Sequence, residues 1–409
     1  MTGKTVLVVG TFDTKAAEFG ILIDEIRTRG CAVRALNCGV RGSTDRFPVD
    51  YEADLVAAQG GTTLENLRQS GQKDEVMRVI CEGTVRTVLQ LFKNSEFDGI
   101  IGMGGGCGTS IVTAAMRALP LGIPKVCVST LAGQDVSSFV GTRDIVMIPS
   151  LVDLCGTHRL LRTILSQAAG AICGMVERKP IIPTDEKPVV FATMFGNTSE
   201  CVTQCADLLA ETGHETVIFH ATGSGGRLME SLISENGAQS VLDLTTTEIA
   251  DLICGGTMSA GEDRLSAAGK AGLPQVIAPG CLDMVNFGSM ESVPWKYRST
   301  GRNFYQWNPN ATLMRTNIAE NIAAGRFLAQ KINAAAGPVA VLFPRKGLSA
   351  LGVAGQPFCD RQADDALLQS LKENLREGIS VIEMENSIND TAFAKKAVSL
   401  LIDLKKKSL

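Results

Sequence analysis

The sequence predicts an α/β protein with two Rossmann-like domains, each a mostly parallel sheet with helices on both faces, and a cleft between the domains. Continuous apolar runs such as Thr5–Gly10 are typical of strands that are buried on both faces. These runs alternate with helical segments, and that alternation favours parallel sheets covered by helices. A second series begins at Val189, after a proline-rich stretch at 178–188 that we interpret as a linker. We therefore expect two domains, at residues 1–180 and 188–409.

In the first domain, continuous apolar runs predict the strands. Apolar residues that recur every three or four positions predict the helices. The predicted strands are Thr5–Gly10, Ala32–Leu36, Asp98–Gly102, Lys125–Ser129 and Asp144–Ile148. The first predicted helix ends near Arg29. The later ones are Lys73–Asn94, Ser110–Leu119 and Thr157–Met175. The polar stretch Arg41–Gly71 is too long for a simple connection, so we interpret it as an insertion that covers a site.

The second domain opens as the first does, because MFGNT at 194–198 echoes TFDT at 11–14 after an apolar strand. Its predicted strands are Val189–Thr193, Thr216–His220, Val241–Leu244, Gln275–Ala278, Ala340–Phe343 and Ile379–Glu383. Its predicted helices are one that ends near Glu211, followed by Leu228–Glu235, Thr246–Ile253, Asp364–Glu377 and Asp390–Asp403. Ser289–Asn317 is less regular and contains both tryptophans. We interpret this segment as a subunit contact, with a lid over the cleft as the alternative.

The bulk composition excludes several classes of protein. The formal net charge of −4 provides no basic field, so we expect no nucleic-acid partner. No apolar stretch reaches about 18 residues, so we expect no membrane-spanning helix. The twelve cysteines show no zinc-binding spacing, which favours reduced thiols in a cytoplasmic protein.

The stretch Ile100–Ser110, IIGMGGGCGTS, combines a strand, closely spaced glycines and a helix start. A helix N-terminus presents free N–H groups and a partial positive charge, so it is a natural seat for a phosphate or carboxylate. The alternative is a tight turn with nothing bound. The residues that we expect to bind a nucleotide phosphate here are Gly104, Gly105, Gly106, Cys107, Gly108, Thr109 and Ser110.

The loop after the first strand offers hydroxyl, carboxylate and ammonium groups in Thr11, Phe12, Asp13, Thr14 and Lys15. Lys15 is suited to neutralise a phosphate, and the alternative is a solvated surface charge. Asp13 is suited to bind a ribose hydroxyl or Mg²⁺, and the alternative is a helix N-cap. Thr130 lies in the hydroxyl-rich stretch Ser129–Ser137, which we expect to contribute further ligands. Neither the Walker-type P-loop nor the G-x-G-x-x-G fingerprint is present, and Cys107 has no visible base, which favours a structural thiol.

In the second domain, His220 ends a predicted strand beside ATGSGGR and is the best candidate for a general base, with a structural strand-end histidine as the alternative. Asp283 is the second catalytic candidate. We expect His220, Ser224, Asp283, Asn286 and Arg345 to bind a second substrate at the carboxyl ends of the strands. Ser224 is not in G-x-S-x-G, so we predict no hydrolase triad.

Longer motifs resemble a known family. They are VGTFDTK, GMGGGCGTS, LAGQDVSSFVGTRDI, HATGSGGRLMESLI, APGCLDMVNFG, NPNATLMRTN and GLSALGVAGQPFCD. Together they resemble the uncharacterised family typified by the N-terminal ATP-binding (inhibitory) domain of the tomato mosaic virus resistance protein. The resemblance covers essentially all 409 residues. It implies two Rossmann-like domains, a homodimer, ATP bound with Mg²⁺, and a TIM-barrel partner protein, but it supplies no settled reaction. Inhibition of viral replication belongs to the plant member and is not carried over.

The leading hypothesis is a cytoplasmic, dimeric ATP-binding protein with the nucleotide along Thr11–Lys15 and Gly104–Ser110. One alternative is a metabolic enzyme that acts on a phosphorylated sugar acid or a similar carboxylate, in which the glycine loop holds the phosphate of the substrate. Another is a regulatory subunit of a TIM-barrel partner.

Overall fold

The computed structural model describes residues 3–178, 187–379 and 381–407. The chain divides into two compact units, Met1–Ile182 and Pro183–Leu409. Most of the linker predicted at 178–188 lies outside the described residues. Both units are α/β sheets flanked by helices, so the predicted fold class is confirmed. The cleft between the domains stays a prediction.

Within the described part of the first unit, five strands form one parallel sheet in the order β2-β1-β3-β4-β5. The strands are β1 (Thr5–Gly10), β2 (Ala32–Asn37), β3 (Gly99–Gly104), β4 (Lys125–Ser129) and β5 (Val146–Pro149). The helices are α1 (Phe12–Thr28), α2 (Ala53–Gln59), α3 (Leu64–Ser70), α4 (Lys73–Lys93), α5 (Gly106–Ala118), α6 (Ser137–Val140) and α7 (Arg159–Glu177). The strand order reverses between β1 and β3, which makes the carboxyl ends of these two strands the topological switch point of the sheet.

Two apolar cores lie on opposite faces of this sheet. Alternate residues of β1 face opposite ways, so Val6 and Val8 pack with α1 and α7, while Leu7 and Val9 pack with α2, α4 and α5. All four side chains are fully buried. The continuous apolar run of β1 is therefore explained by burial on both faces.

In the described part of the second unit, six strands form a parallel sheet in the order β14-β13-β9-β8-β6-β7. The strands of the unit are β6 (Val189–Met194), β7 (Glu215–His220), β8 (Ser240–Thr245), β9 (Gln275–Gly280), β10 (Met284–Phe287), β11 (Phe304–Asn308), β12 (Ala311–Arg315), β13 (Val339–Pro344) and β14 (Val381–Met384). The helices are α8 (Ser199–Glu211), α9 (Ser224–Ser234), α10 (Thr247–Cys254), α11 (Ala267–Lys270), α12 (Trp295–Arg298), α13 (Ile318–Asn333), α14 (Arg361–Asn374) and α15 (Thr391–Lys407).

The two sheets wind in the same way. Read from the other edge, the second order is β7-β6-β8-β9-β13-β14, so its switch point lies between β6 and β8, just as the first lies between β1 and β3. TFDT follows β1 and MFGNT spans the end of β6. The short sequence echo therefore marks equivalent places in two sheets of the same strand order.

Several predicted element boundaries are wrong. Helix α5 begins at Gly106 rather than Ser110, and α9 begins at Ser224 rather than Leu228, because glycines in both sequences form the first helical turn instead of a loop. The polar insertion 41–71 contains α2 and α3. The segment 289–317 contains β11 and β12, which join β10 in a three-stranded antiparallel sheet.

Among the described residues, no helix has both the length and the apolar character that crossing a membrane requires. The twelve cysteines, all within the described ranges, are free thiols. The cytoplasmic location stays a prediction.

Candidate functional site

A cavity of about 680 Å³ opens at the switch point of the first sheet. The loops after β1 and β3 form one side of it, through Thr11–Lys15 and Gly104–Gly108. The loop after β2 and the junction of α3 with α4 form the other side. Small-molecule sites in open α/β sheets occur at the carboxyl ends of strands and at such reversals.

The glycine loop carries β3 directly into α5. Gly105 is the extended N-cap residue, and its carbonyl accepts the Thr109 N–H at 2.8 Å, which closes the first turn. The N–H groups of Gly106, Cys107 and Gly108 therefore lie in the turn that has no acceptors within its own helix. Gly106 and Cys107 are exposed. The first turn of α5 thus presents backbone donors to the cavity.

The glycines of this loop differ in why the fold needs them. A Cβ added at Gly104 would lie 2.5 Å from the Gly108 Cα, so the close approach of helix to strand requires glycine there. A Cβ at Gly105 would come no nearer than 3.7 Å, to Thr130 Oγ1, and one at Gly106 would meet nothing within 4 Å. Neither Gly105 nor Gly106 has a positive φ. The packing of the chain does not account for glycine at these two positions.

The loop after β1 is held by several local contacts. Asp13 lies in the first turn of α1, where Thr11 is the N-cap, and its Oδ2 accepts the Arg41 N–H at 2.9 Å. Lys15 Nζ donates to the Leu154 carbonyl at 2.7 Å, although the side chain still lines the cavity. Thr14 Oγ1 lies 3.2 Å from Thr11 Oγ1.

Four of the predicted phosphate-site residues are not among those that line the cavity. Phe12 is 1% exposed and packs edge-on against Phe19 in the apolar core. Thr109 is buried and its hydroxyl donates to the Gly104 carbonyl, while the Ser110 hydroxyl donates to the Gly106 carbonyl. Thr130 donates its N–H to the Gly104 carbonyl at 3.3 Å. These contacts shape the loop.

Sequence reasoning missed the opposite side of the cavity. Of the described lining residues, four are cationic, namely Lys15, Arg41, Arg68 and Lys73, and one, Asp13, is a carboxylate. Arg41 and Arg68 belong to the stretch that the sequence marked only as an insertion over a site. The apolar lining residues are Val40, Leu67, Val76, Met77, Ile80 and Ile111. The cavity therefore combines a cationic, donor-rich part with an aliphatic wall.

Among the described residues that line the cavity, Asp13 is the one carboxylate that could bind a metal ion. Its Oδ1 is buried and has no hydrogen-bond partner. Among the described residues, no group of three or more His, Cys, Asp or Glu side chains is arranged to hold a metal. A single carboxylate fits Mg²⁺ that is bound together with a nucleotide. In such sites one or two carboxylates, the phosphates and water molecules coordinate the ion.

The second unit also has a glycine-rich helix start, after β7, and there the chain itself partly fills it. Ser224 begins α9 and is exposed, but Glu248 Oε1 accepts the N–H groups of Gly223 and Gly226 at 2.6 and 3.1 Å. Glu248 also accepts from Arg264 Nε at 2.6 Å. His220 is exposed at the end of β7 and stacks on Phe195, with 5.6 Å between ring centroids.

The other predicted substrate-binding residues are engaged inside the second unit. Asp283 is fully buried, its Oδ2 accepts the Ser349 hydroxyl at 2.6 Å, and burial raises the pKa of its carboxyl. Asn286 Nδ2 donates to Asp251 Oδ2 at 2.7 Å, and burial raises the pKa of Asp251 to about 7. The Arg345 guanidinium lies 3.2 Å from Asp365 and 3.4 Å from Glu383. Asp283 and Asn286 are thus buried and do not share an open site with the exposed His220, whereas Arg345 is half-buried.

Comparison with known proteins agrees with the two-unit architecture. Models of the N-terminal and C-terminal domains of the uncharacterised protein family UPF0261 match residues 4–180 and 187–405. A UPF0261 protein of Clostridium tetani is 42% identical over 405 residues, which are 99% of this chain and 100% of that protein.

A plant relative supports the same assignment. The ToMV resistance protein Tm-1(GCR237) of Solanum lycopersicum is 41% identical over 318 residues, which are 76% of this chain and 42% of that protein. Among solved structures, a UDP-N-acetylglucosamine 2-epimerase from Rickettsia bellii is 11% identical, with 68% of this chain and 79% of that chain covered, at a TM-score of 0.24 that is too low to bear on function. The resemblance stated from the sequence motifs is thus confirmed, and the chain belongs to the uncharacterised protein family UPF0261.

Proposed function

We propose that the first unit binds ATP, with the phosphates against the N-terminus of α5 and the rest of the nucleotide in the cavity. The observation that carries this proposal is that Gly105 and Gly106 have neither a positive φ nor a neighbour that would exclude a side chain. Their lack of side chains instead leaves the backbone N–H groups of the first turn accessible. Backbone donors at a helix N-terminus are a common seat for phosphate.

The charge of the cavity supports an anionic ligand. Four cationic side chains and one carboxylate line it, although the whole chain carries a formal charge of −4. This local excess of positive charge matches a polyphosphate, since cations in a partly enclosed site raise the local concentration of anions. Lys15 Nζ and Arg68 Nε each donate to a backbone carbonyl, so the exposed Arg41 and Lys73 are the more available cations.

The aliphatic wall favours a nucleotide over a phosphorylated sugar acid. A sugar acid presents hydroxyl and carboxylate groups over most of its surface, and burying these against aliphatic side chains is costly. A nucleobase presents two flat faces that such side chains can cover. A cavity of about 680 Å³ also lies within the usual range for sites of this kind.

Mg²⁺ is proposed as the companion of the phosphates, with Asp13 as its carboxylate ligand. The ion would neutralise phosphate charge. The buried Oδ1 of Asp13, which lacks a hydrogen-bond partner, supports this role.

The test is the thermal stability of the protein with ATP–Mg²⁺ and with a panel of sugar phosphates. A ligand at one hundred times its Kd adds about 2.7 kcal/mol of apparent stability. Gly106→Leu should abolish the ATP shift, because the added side chain projects into open space beside the donors without disturbing the fold.

The matched control is Gly196→Leu. Like Gly106, Gly196 is the first residue of a helical segment, here a short turn after β6. A Cβ added at Gly196 meets nothing within 4 Å. This variant should keep the full ATP shift. A full shift in Gly106→Leu, or a shift with sugar phosphates alone, would contradict the proposal.

We also propose that the protein is a homodimer that contacts its second copy through the aromatic segment of α12 and β11. Trp295 is 71% exposed and Trp307 is 53% exposed, and exposed tryptophans are typical anchors of interfaces. Sedimentation of the protein and of a Trp295→Ala, Trp307→Ala double variant checks this, with the variant expected to shift towards monomer. A TIM-barrel partner stays a prediction, to be checked by co-purification.

A further inference from the structure

We infer that the cavity of the first unit recognises its nucleotide through the phosphates and accepts the four common bases with similar affinity. This inference rests on the proposed function and specifies the class of ligand as nucleoside triphosphates in general. It depends on how the two parts of the cavity differ. The glycine loop presents backbone donors, and the opposite side presents aliphatic surface together with Arg41, Arg68 and Lys73.

The aliphatic wall comes from Val40 in the loop after β2 and from three helices. Leu67 lies on α3, Val76, Met77 and Ile80 lie on α4, and Ile111 lies on α5. Side chains of this kind cover the face of any planar ring, and methionine is especially adaptable in shape. Contacts of this type gain free energy from the area that they bury and carry no pattern of donors and acceptors.

The loop after β2 is the backbone that approaches this wall, and four of its polar groups are already engaged. The Cys38 N–H donates to the Gly10 carbonyl at 2.8 Å and the Gly39 N–H donates to Asn37 Oδ1 at 2.9 Å. The Val40 carbonyl accepts from Arg68 Nε at 2.6 Å.

A third N–H of this loop is engaged as well. The Arg41 N–H is bound by Asp13 Oδ2 at 2.9 Å. These four groups are thus committed to holding the loop. Reading the edge of a base with them would first require breaking contacts that position Asp13 and Arg68.

The groups that we expect to meet the phosphates have the opposite character. The first turn of α5 presents N–H groups, and Arg41 and Lys73 are exposed cations of the cavity lining. Hydrogen bonds to charged groups are roughly twice as strong as those between neutral groups. Removing phosphates should therefore weaken binding more than changing the base does.

The experiment measures Kd by calorimetry for ATP, GTP, CTP and UTP, each with Mg²⁺, and for ADP, AMP and adenosine. Sites made of apolar contacts separate similar ligands by about 10- to 200-fold, whereas sites that hydrogen-bond the distinguishing group separate them by 10⁴-fold or more. We expect the four triphosphates to bind within about tenfold of each other, and AMP to bind more than about tenfold more weakly than ATP.

A preference for ATP over GTP, CTP and UTP of about a hundredfold or more would overturn the inference and leave the proposed function intact. Absence of binding by all four triphosphates would overturn both. Retention of ATP binding by Gly106→Leu would instead place the nucleotide at another site.

A variant of the wall gives an independent readout. Met77→Ala removes adaptable apolar area. It should raise the Kd values of all four triphosphates by a similar factor, about threefold to tenfold. Met175→Ala, which changes a half-buried methionine of α7 that packs in the other apolar core, is the matched control and should leave all four Kd values unchanged. A loss confined to one base in Met77→Ala would contradict the inference. The melting temperature of each variant without ligand shows whether the fold is kept.

Discussion

Glu248 lies against the backbone of Gly226 and accepts its N–H at 3.1 Å, so that a side chain at Gly226 would overlap the carboxylate. The second unit thus fills the start of its glycine-rich helix α9 with its own anion. In the first unit, the glycine-rich start of α5 faces a cavity. Two glycine-rich helix starts, one after β3 and one after β7, therefore differ in whether the chain itself occupies their N–H groups.

The first prediction concerns Glu248, which also binds the guanidinium of Arg264, a side chain that is 1% exposed. Glu248→Gln should lower the free energy of unfolding of the second unit by roughly 1.5–3 kcal/mol, because a charge-assisted hydrogen bond is lost and a buried cation loses one of its partners. The urea midpoint checks this. Glu211→Gln, on the exposed surface of α8, is the control and should not move the midpoint. Equal midpoints in both variants would show that Glu248 is dispensable.

The second prediction separates structural from accessible glycines in the first unit. Gly104→Ala should destabilise the protein by about 1–3 kcal/mol, since the new methyl group would lie 2.5 Å from the Gly108 Cα and backbone cannot move away cheaply. Gly106→Ala should leave the free energy of unfolding unchanged or raise it by up to about 1 kcal/mol. Thermal unfolding of the two proteins without ligand measures the difference. The reverse ranking would mean that α5 begins differently from the structure described.

The third prediction uses Cys107 as a reporter of the cavity. Cys107 is exposed in the first turn of α5 and lines the cavity, so bound ATP–Mg²⁺ should slow its alkylation by iodoacetamide by at least about tenfold at saturation. Cys359, an exposed thiol of the second unit, is the internal control and should react at an unchanged rate. Mass spectrometry of the labelled peptides follows both. Equal rates at Cys107 with and without ATP would locate the nucleotide elsewhere.

The fourth prediction is a pH dependence at His214, whose Nε2 lies 2.7 Å from Lys405 Nζ at the end of α15. Burial, and next the charge of Lys405, lower the pKa of His214 from its usual 6.5 in the folded protein. The unfolded chain therefore binds more protons just below pH 6.5, and the free energy of unfolding should fall as the pH falls through that value, then level off below the folded-state pKa.

Urea midpoints between about pH 8 and about pH 5 measure this effect. His214→Gln should remove the part of the pH dependence that belongs to this group. Lys405→Met should reduce it, since burial alone then lowers the pKa. An unchanged profile in His214→Gln would assign the pH dependence to other groups.

Local patterns in the sequence predict much of this architecture. The apolar run 5–10 coincides with β1, and the run 125–129 coincides with β4. Strand burial on two faces leaves a continuous apolar signal, so such elements can be found without a structure. Helix starts rich in glycine are harder to predict, because glycine is typical of loops. For that reason the sequence pattern predicts loops where α5 and α9 make their first turns.

By itself, the sequence determined the two α/β units, their shared opening pattern and the glycine loop at the end of β3. The tertiary structure alone decided what faces that loop. Arg41, Arg68 and Met77 are distant from Gly106 along the chain. Only the pairing of β2 with β1 and the packing of α3 and α4 bring them to the cavity. Likewise, only long-range folding delivers Glu248 to Gly226. Periodicity reports which face of an element is buried, but the meeting of loops from separate strands depends on the strand order of the sheet.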